Sequence, residues 1–492
     1  MKAERIKVSP FVFSRITDCR IEKEAGTHGY AMIKGYIDRD KEEEYLELTC
    51  GMPEVAIQAM DEDGESIPLY CGILQDAKIT HKNGVCTMEI TIVPYTYLLD
   101  LNPRRRSFQN PAMTYQDVLD NVLSSYAGEG VNSVIMNVGA DTAIGEPIVQ
   151  YQETDWEFAK RLASHFNTVV TPSYTTSGPK FYVGLMEWPG AARISPSCYR
   201  VKKAVSEYLY KEQNQVEGIV EDDSLWYIVE DQELYEIGEM VEFRGRTYYV
   251  ARMEGRLDGH QLWNTYYLKT LAGFKIPRRY NEKVIGASLD GNVTAVSGDK
   301  VQVRLAADAA EGLGKWFEFS TVYSSPDGTG WYCMPEIGDE IRLYFPTERE
   351  KHGYVISSVH LPVAQAHAGG SAGGGARGSA NRTAARNSEA CRCDPTHKTI
   401  HTVTGKKVEL TETYILLDAG NGMSIRLDDG AGITIRSPLQ VNIKSDDSIA
   451  IKSSGGKVEV AGGTGVTISQ ADSKVEVASG NVIVAGANAK VQ

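Results

Sequence analysis

The sequence predicts a mainly β, multidomain chain: two β modules with a few helices, then a small closed barrel, then a needle of three intertwined chains. Three observations carry this. The 492 residues exceed what one core holds, since single cores stop growing near roughly 250 to 300 residues. Short alternating apolar and polar runs with hairpin turn signals fill most of the first 360 positions. From Met423 onward, pairs of Val, Ile or Leu recur at i and i+2 every seven to nine residues.

Composition narrows the class. A hydrophobic content of 42% with 24% charged residues is that of an ordinary soluble chain, and no stretch reaches the ~20 apolar residues of a membrane span. Met1 to Ser9 carries Lys2, Glu4, Arg5 and Lys7 with no apolar segment behind them, so no secretion signal is read and assembly in the cytoplasm is expected. Eight Cys, at 19, 50, 71, 86, 198, 333, 391 and 393, are too dilute for a disulfide framework and fit a reducing compartment. A formal charge of −14 repels phosphate backbones, so nucleic acid is not expected as a partner.

Residues 1 to about 100 read as strands, for example "YAMIKGYI" and "VCTMEITIV", with "DEDGE" and "KNG" as turns. In "TYQDVLDNVLSSYAG", Tyr115, Val118, Leu119, Val122, Leu123 and Tyr126 share one helical face, with Thr114 before it and Gly128 after it as caps. In "TDWEFAKRLASHFN", Thr154 and Glu157 have capping-box spacing, and Phe158, Leu162 and Phe166 form a stripe. Alternation returns from Lys180 to about Ala272, which makes 1–282 a pair of β modules with helices between them. Residues 283–361 hold about five short strands with hairpin turns, the pattern of a small barrel. Residues 362–390 are Ala/Gly-rich and read as a linker.

Residues 391–492 then form the needle. The pairs are Ile425 with Leu427, Ile433 with Ile435, Val441 with Ile443, Ile449 with Ile451, Val458 with Val460, Val466 with Ile468, Val475 with Val477, and Val482 with Val484. Period-two alternation puts both members of a pair on one strand face, while Gly, Ser and Asp between pairs supply corners. Eight residues at about 3.3 Å each cannot enclose a core alone. Three chains can: each supplies one wall of a prism, the pairs face the common axis, and neighbours cover the strand edges. A homotrimer is therefore expected.

Three stretches carry a family resemblance. "RRRSFQNPAMTYQDVLDNVL" is similar to the segment "SR-x-FQ…VPEII" of the VgrG and phage tail hub-spike family, "QYQETDWEFAKRLASHFN" to its "QY-x-ES-x-x-DF-x-x-RL" helix, and "GWYCMPEIGDEIRLYF" to its segment ending in "P-x-x-GDEV". The resemblance implies a hub of two tube-like modules per chain, an OB-type barrel and a triple-stranded β-helix, in that order. It also implies a structural role as the central spike of a contractile injection machine, whether phage tail, tail-like bacteriocin or secretion apparatus. The partners so implied are a tail tube or tube-initiator protein on a six-module ring, baseplate proteins, and transient contact with the target envelope. Some phage relatives carry a lysozyme between barrel and needle; here that interval is the linker, so that activity is not expected. The chain stops at "ANAKVQ", so a blunt needle and a small PAAR-like tip cap are expected.

Catalytic signatures are weak. "GGSAG" at 369–373 has the spelling of a nucleophile elbow but lies in low-complexity sequence, not between a strand and a helix. The acids at 428 and 446 read as needle corners. No enzyme activity and no cofactor are expected, with zinc at Cys391, Cys393, His397 and His401 as the one exception weighed. Against zinc, one residue between the cysteines is tighter than the usual spacing, and Pro395 opposes a helix that would present both His. A β-helical tail-fibre enzyme for surface polysaccharide would need long coils lined with paired carboxylates, and an adhesin stalk would need an export signal.

Overall fold

The computed structural model describes residues 6–60, 65–126, 128, 132–196, 198–259, 261–309, 314–322, 333–358, 398–402, 404–478 and 480–486. Contacts divide the chain into two units, 1–366 and 367–492.

The first unit is built on a twelve-stranded sheet made of two six-stranded modules. In chain order, module one contains Ile6–Ser9, Arg15–Glu24, Tyr30–Tyr36, Glu54–Met60, Ser66–Lys82 and Val85–Val93. Module two contains Ala192–Arg193, Tyr199–Lys203, Leu225–Asp231, Met240–Phe243, Arg246–Asp258 and Gln261–Lys269. Counting strands within each module, both are ordered 1-4-5-6-3-2. The likeness extends to irregularities. The fifth and sixth strands slip register at a bulge between Leu74 and Asp76 in module one and between Val250 and Arg252 in module two. The first strand differs, pairing antiparallel in module one and parallel in module two, and module one has further bulges at Ile16/Asp18 and Ile57/Gln58. Alternation explains the faces: in Tyr30–Tyr36 the residues Ala31 and Ile33 are buried while Lys34 is exposed. One apolar core runs through both modules, from Ile21, Ile33, Ile57 and Ile90 to Val229, Val250, Tyr266 and Leu268.

Four helices decorate this frame. Helix α1 (Glu42–Leu48) lies in module one and anchors through Tyr45, whose ring meets Phe11 edge-on at 5.4 Å. Helices α2 (Tyr115–Ser124) and α3 (Asp155–Ser164) each begin with a complete capping box, Thr114 with Asp117 and Thr154 with Glu157. Both end earlier than the stripes suggest. Ser125 and His165 are the C-caps, so Tyr126, Phe166 and Gly128 lie beyond the helices. Their apolar faces share a second core, with Val118, Leu119, Phe158 and Leu162 fully buried. Helix α4 (Val205–Gln213) follows the second strand of module two.

Strands Ser288–Ser297, Lys300–Leu305, Trp316–Glu318, Glu340–Tyr344 and Tyr354–Ser358 form an antiparallel sheet. A parallel bridge from Phe319 to Val355 joins its two edges, around a core that includes Val293, Val303, Phe317, Ile341 and Phe345. This barrel is bonded to the helical layer away from its covalent connection. Ser107 and Ala309 pair through backbone (Ala309 N to Ser107 O, 3.0 Å), and Gln109 Nε2 donates to Val303 O at 3.1 Å and to Asp308 Oδ2 at 2.9 Å.

The second unit holds two antiparallel meanders. One runs Lys398–His401, Lys407–Leu410, Tyr414–Asp418, Ser424–Asp428 and Gly432–Arg436; the other runs Val466–Gln470, Ser473–Ala478 and Asn481–Ala485. In the middle of the expected needle pattern the single chain forms no strand among the described residues. Val441 and Ile443, Ile449 and Ile451, and Val458 and Val460 were expected on short strands, yet no strand is present in the described residues between Arg436 and Val466. The physical reason is that a strand needs a hydrogen-bonded neighbour, and one copy of the chain brings none to Val441, Ile443, Ile449, Ile451, Val458 or Val460. All six side chains are exposed.

Candidate assembly interfaces

The two modules meet where the second strand of module one pairs with the fifth strand of module two, Arg20–Glu24 against Arg252–Arg256. On one face of this joint a single cation is ringed by acids. Arg252 Nη2 lies 2.7 Å from Glu254 Oε1 and 3.0 Å from Glu22 Oε1, and Nη1 is 3.7 Å from Glu24 Oε2. Tyr267 donates to Glu254 Oε1 at 3.0 Å and places its ring under the guanidinium. Glu22 and Glu254 stand opposite one another in the register, a repulsive placement that Arg252 bridges. Burial pushes the half-buried Glu24 carboxyl upward, and Arg252 opposes that shift. On the other side of the strand, the buried Lys23 ammonium reaches Glu236 at 2.6 Å.

A second contact clasps α3 to the barrel. Arg161, 3% exposed, donates through Nε and Nη2 to Glu153 at 2.9 Å and through Nη1 to Glu350 of the barrel, also at 2.9 Å. Burial pulls the guanidinium down, but Glu153 and Glu350 together outweigh it and hold the proton more firmly than usual. Glu153 sits above its ordinary range because burial exceeds the help from Arg161. Beside this clasp opens a cleft of about 400 Å³ lined by Glu157, Lys160, Arg279 and Lys283. Mixed charge and wide opening suit solvent there, not an enclosed substrate. His28 lies between Thr96 (Nδ1 to Oγ1, 3.0 Å) and Asp100 (Nε2 to Oδ2, 3.3 Å), an order of hydroxyl, imidazole and carboxylate. Thr96 is fully buried and its hydroxyl meets no substrate, so the array fixes the packing of His28 on Trp156.

Residues 54–169, from the fourth strand of module one past the end of α3, match the phage tail baseplate hub family. The fold agrees: an Escherichia coli type VI secretion component, itself described as similar to the T4 bacteriophage tail proteins gp27 and gp5, superposes with a TM-score of 0.52 at 11% identity. That match covers 72% of this chain and 99% of the other. Residues 54–169 are thus similar to the baseplate hub family, and the chain as a whole shares its fold with these secretion and tail proteins. A Francisella VgrG, in its complex with PdpA, superposes on this chain with a TM-score of 0.51 at 9% identity, covering 88% of this chain and 80% of that one. At these identities the likeness is one of fold. No curated protein sequence matches this chain. Among the described residues no helix is long and apolar enough to cross a membrane.

The second unit presents apolar rows that meet no covering layer among the described residues. In the first meander, cross-strand pairing aligns Ile400, Val408, Leu417, Ile425 and Ile435 in one row, and Leu410, Ile415, Leu427 and Ile433 in the next. In the second, Val466, Val477 and Val482 form one row, and Ile468, Val475 and Val484 the other. Most are open to solvent in the single chain, Ile433 at 73% and Ile468 at 69%. Sequence periodicity missed the rows' beginning, although Val408 with Leu410 and Ile415 with Leu417 already carry the i, i+2 signature.

Five of the eight expected pairs lie on these strands, whereas the pairs ending at Ile443, Ile451 and Val460 lie on none. The hydrogen bonds of that stretch are short-range, such as Leu439 N to Ser437 Oγ at 3.1 Å and Gly456 N to Ser453 Oγ at 3.2 Å. Asp428 makes a corner: it accepts from Gly430 N and Ala431 N and from Arg426, whose guanidinium first and the two amides next hold its carboxyl below the ordinary range. Cys391, Cys393 and His397 lie outside the described residues, as do "GGSAG" and the linker 362–390. Of His401 only the backbone is described, within Lys398–His401.

Proposed function

We propose that three copies assemble into the complete spike, in which the paired modules form a ring of six that meets a six-fold tail tube or tube initiator. The C-terminal segments pack into a triple-stranded β-helix that is driven through the target envelope. The observation that carries this reading is the set of solvent-exposed Val, Ile and Leu rows in the second unit, together with a stretch of about thirty residues between Arg436 and Val466 that has no strand partner among the described residues of its own chain. Unpaired backbone and exposed apolar rows are both costly, and partner strands from two further copies relieve both. The shared 1-4-5-6-3-2 topology supports the six-module ring, because two like modules in each of three chains convert three-fold to six-fold symmetry.

The work is mechanical, without catalysis or cofactor. Baseplate proteins and a small PAAR-like tip cap are further partners in this reading, with assembly in the cytoplasm. Native mass of the full chain tests the core of it: three copies of 54.1 kDa should elute together, and a monomer would overturn it. Truncation after Ser479 should keep the trimer and lose a co-purifying cap; a cap retained equally by both forms would place its docking elsewhere. Zinc content before and after Cys391→Ser checks the Cys/His cluster.

A further inference from the structure

The joint inside the chain specifies the joint between chains. In module two the fifth strand pairs with the fourth through Arg246–Tyr249 and then, farther along the same edge, with the second strand of module one through Arg252–Arg256. In module one the fifth strand pairs with the fourth through Ser66–Ile73 and continues to Lys82, and along Asp76–Lys82 that edge meets no strand among the described residues. The complementary element is also open. Tyr199–Lys203, the second strand of module two, pairs with Leu225–Asp231 on one side and, among the described residues, with no strand on the other. The half-built joint thus repeats the complete one, with a donor edge at one end of the chain and an acceptor edge at the other.

We infer that Tyr199–Lys203 of one copy adds antiparallel to Ala77–His81 of the next, so that three copies close head to tail; this rests on the trimeric reading above. The bulges fix the register. Asp76 occupies the place of Arg252 and Lys78 that of Glu254, each counted from its bulge. Pairing through the third strands places Val201 where Ile21 stands and Lys202 where Glu22 stands. Since Gly255 faces Ile21 and Glu254 faces Glu22, Ile79 faces Val201 and Lys78 faces Lys202 across the new joint. Val201, 50% exposed in the single chain, gains an apolar partner.

The charges invert as a set. Where the internal joint has Arg252 among Glu22, Glu24 and Glu254, the outer joint has Asp76 between Lys78 and Lys202. Each set is complete within itself, and exchange breaks both. Glu22 brought beside Asp76 sets acid against acid, and Lys202 beside Arg252 sets base against base. Two joints of equal shape and opposite sign enforce the alternation of modules one and two around the ring.

The test is disulfide trapping in the full-length protein. Successive antiparallel pairs alternate between close and wide Cβ spacing, so two variants are made, Val201→Cys with Ile79→Cys and Arg200→Cys with Thr80→Cys. At least one should run as covalent dimer and trimer on oxidation, while the four single variants and the shifted pair Val201→Cys with Ala77→Cys should not. Asp76→Lys in the trapping background should lower the cross-linked yield by about tenfold, the factor for a change of roughly 1.4 kcal/mol. Adding Lys78→Glu and Lys202→Glu, which recreates the Arg252 arrangement, should restore it. A native trimer in which neither pair cross-links overturns this joint while leaving the trimer standing; a monomeric native mass overturns both.

Discussion

Ile433→Asp compared with Thr434→Asp separates a needle wall from a free-standing meander. The two residues are adjacent on Gly432–Arg436, so they point to opposite faces, and both are exposed in the single chain, Ile433 at 73%. Were the single chain the working form, both substitutions would stay within about 0.5 kcal/mol of wild type, as surface changes do. Thr434→Asp would even gain a favourable neighbour, since Thr434 pairs with Arg426 across the strands. In a three-chain prism, Ile433 instead sits against its copies and against Leu427, its partner in the register. Losing that burial costs roughly 1.5 to 3 kcal/mol per chain, three times over, and a carboxylate aimed at the axis adds its own desolvation cost. The assay is native mass by light scattering with thermal unfolding of the same samples. Ile433→Asp should dissociate or melt far below wild type, while Thr434→Asp should match it. Indistinguishable behaviour of the two variants would refute the assignment of the inward face.

The remaining predictions concern the first unit. Arg161→Ala leaves Glu153 and Glu350 without their shared cation in a nearly dry site, so the first unit should lose about 3 to 5 kcal/mol by chemical denaturation. Loss below about 1 kcal/mol would show that water reaches the clasp. His165 is held at about 3, first by burial and then by Arg278 and Arg161, whereas an unfolded chain takes up the proton near 6.5. Between these values the unfolded state binds the extra proton, so stability is complete above about pH 6.5 and falls as pH drops toward 3. From about pH 6.5 to 5 wild type should lose about 2 kcal/mol more than His165→Gln; parallel pH profiles would contradict a buried neutral imidazole.

Local signals in the sequence were strong where one segment decides its own structure. Thr114 and Thr154 mark helix starts because a capping box closes within four residues, and the structure has both boxes. Helix ends were less legible: Gly128 looked like a C-cap, yet the chain leaves α2 at Ser125 so that Tyr126 can bond Asp155 at 2.7 Å, a tertiary demand. The i, i+2 pairs marked the apolar face of the meanders but not its full extent, since Val408 with Leu410 and Ile415 with Leu417 are separated from Met423 by the turn at Gly420 and Gly422. At Ile443, Ile451 and Val460 the same alternation marks which residues would share a face but supplies no neighbouring strand among the described residues of one chain. Opaque to sequence was the joint between modules. Arg252 and Glu22 are far apart in the chain, and nothing in "ARMEGRLD" announces that its free edge will meet "DCRIEKE". The duplication of the modules was equally hidden, because what is shared is strand order and bulge position, which tolerate complete replacement of side chains.

The bonds between α3, Gln109, Ser107 and the barrel have a mechanical consequence. A tip pushed against an envelope returns the thrust to whatever holds it, and a barrel tethered only through Lys275–Ile285 would swing on that tether like a flail. Here the load has parallel routes: through Arg161 to Glu350, through Gln109 to Val303 and Asp308, and through the backbone bond of Ala309 to Ser107. Three separate attachments beside the covalent one brace the junction as a collar, which is what the proposed spike needs if a stroke is to be passed on without bending.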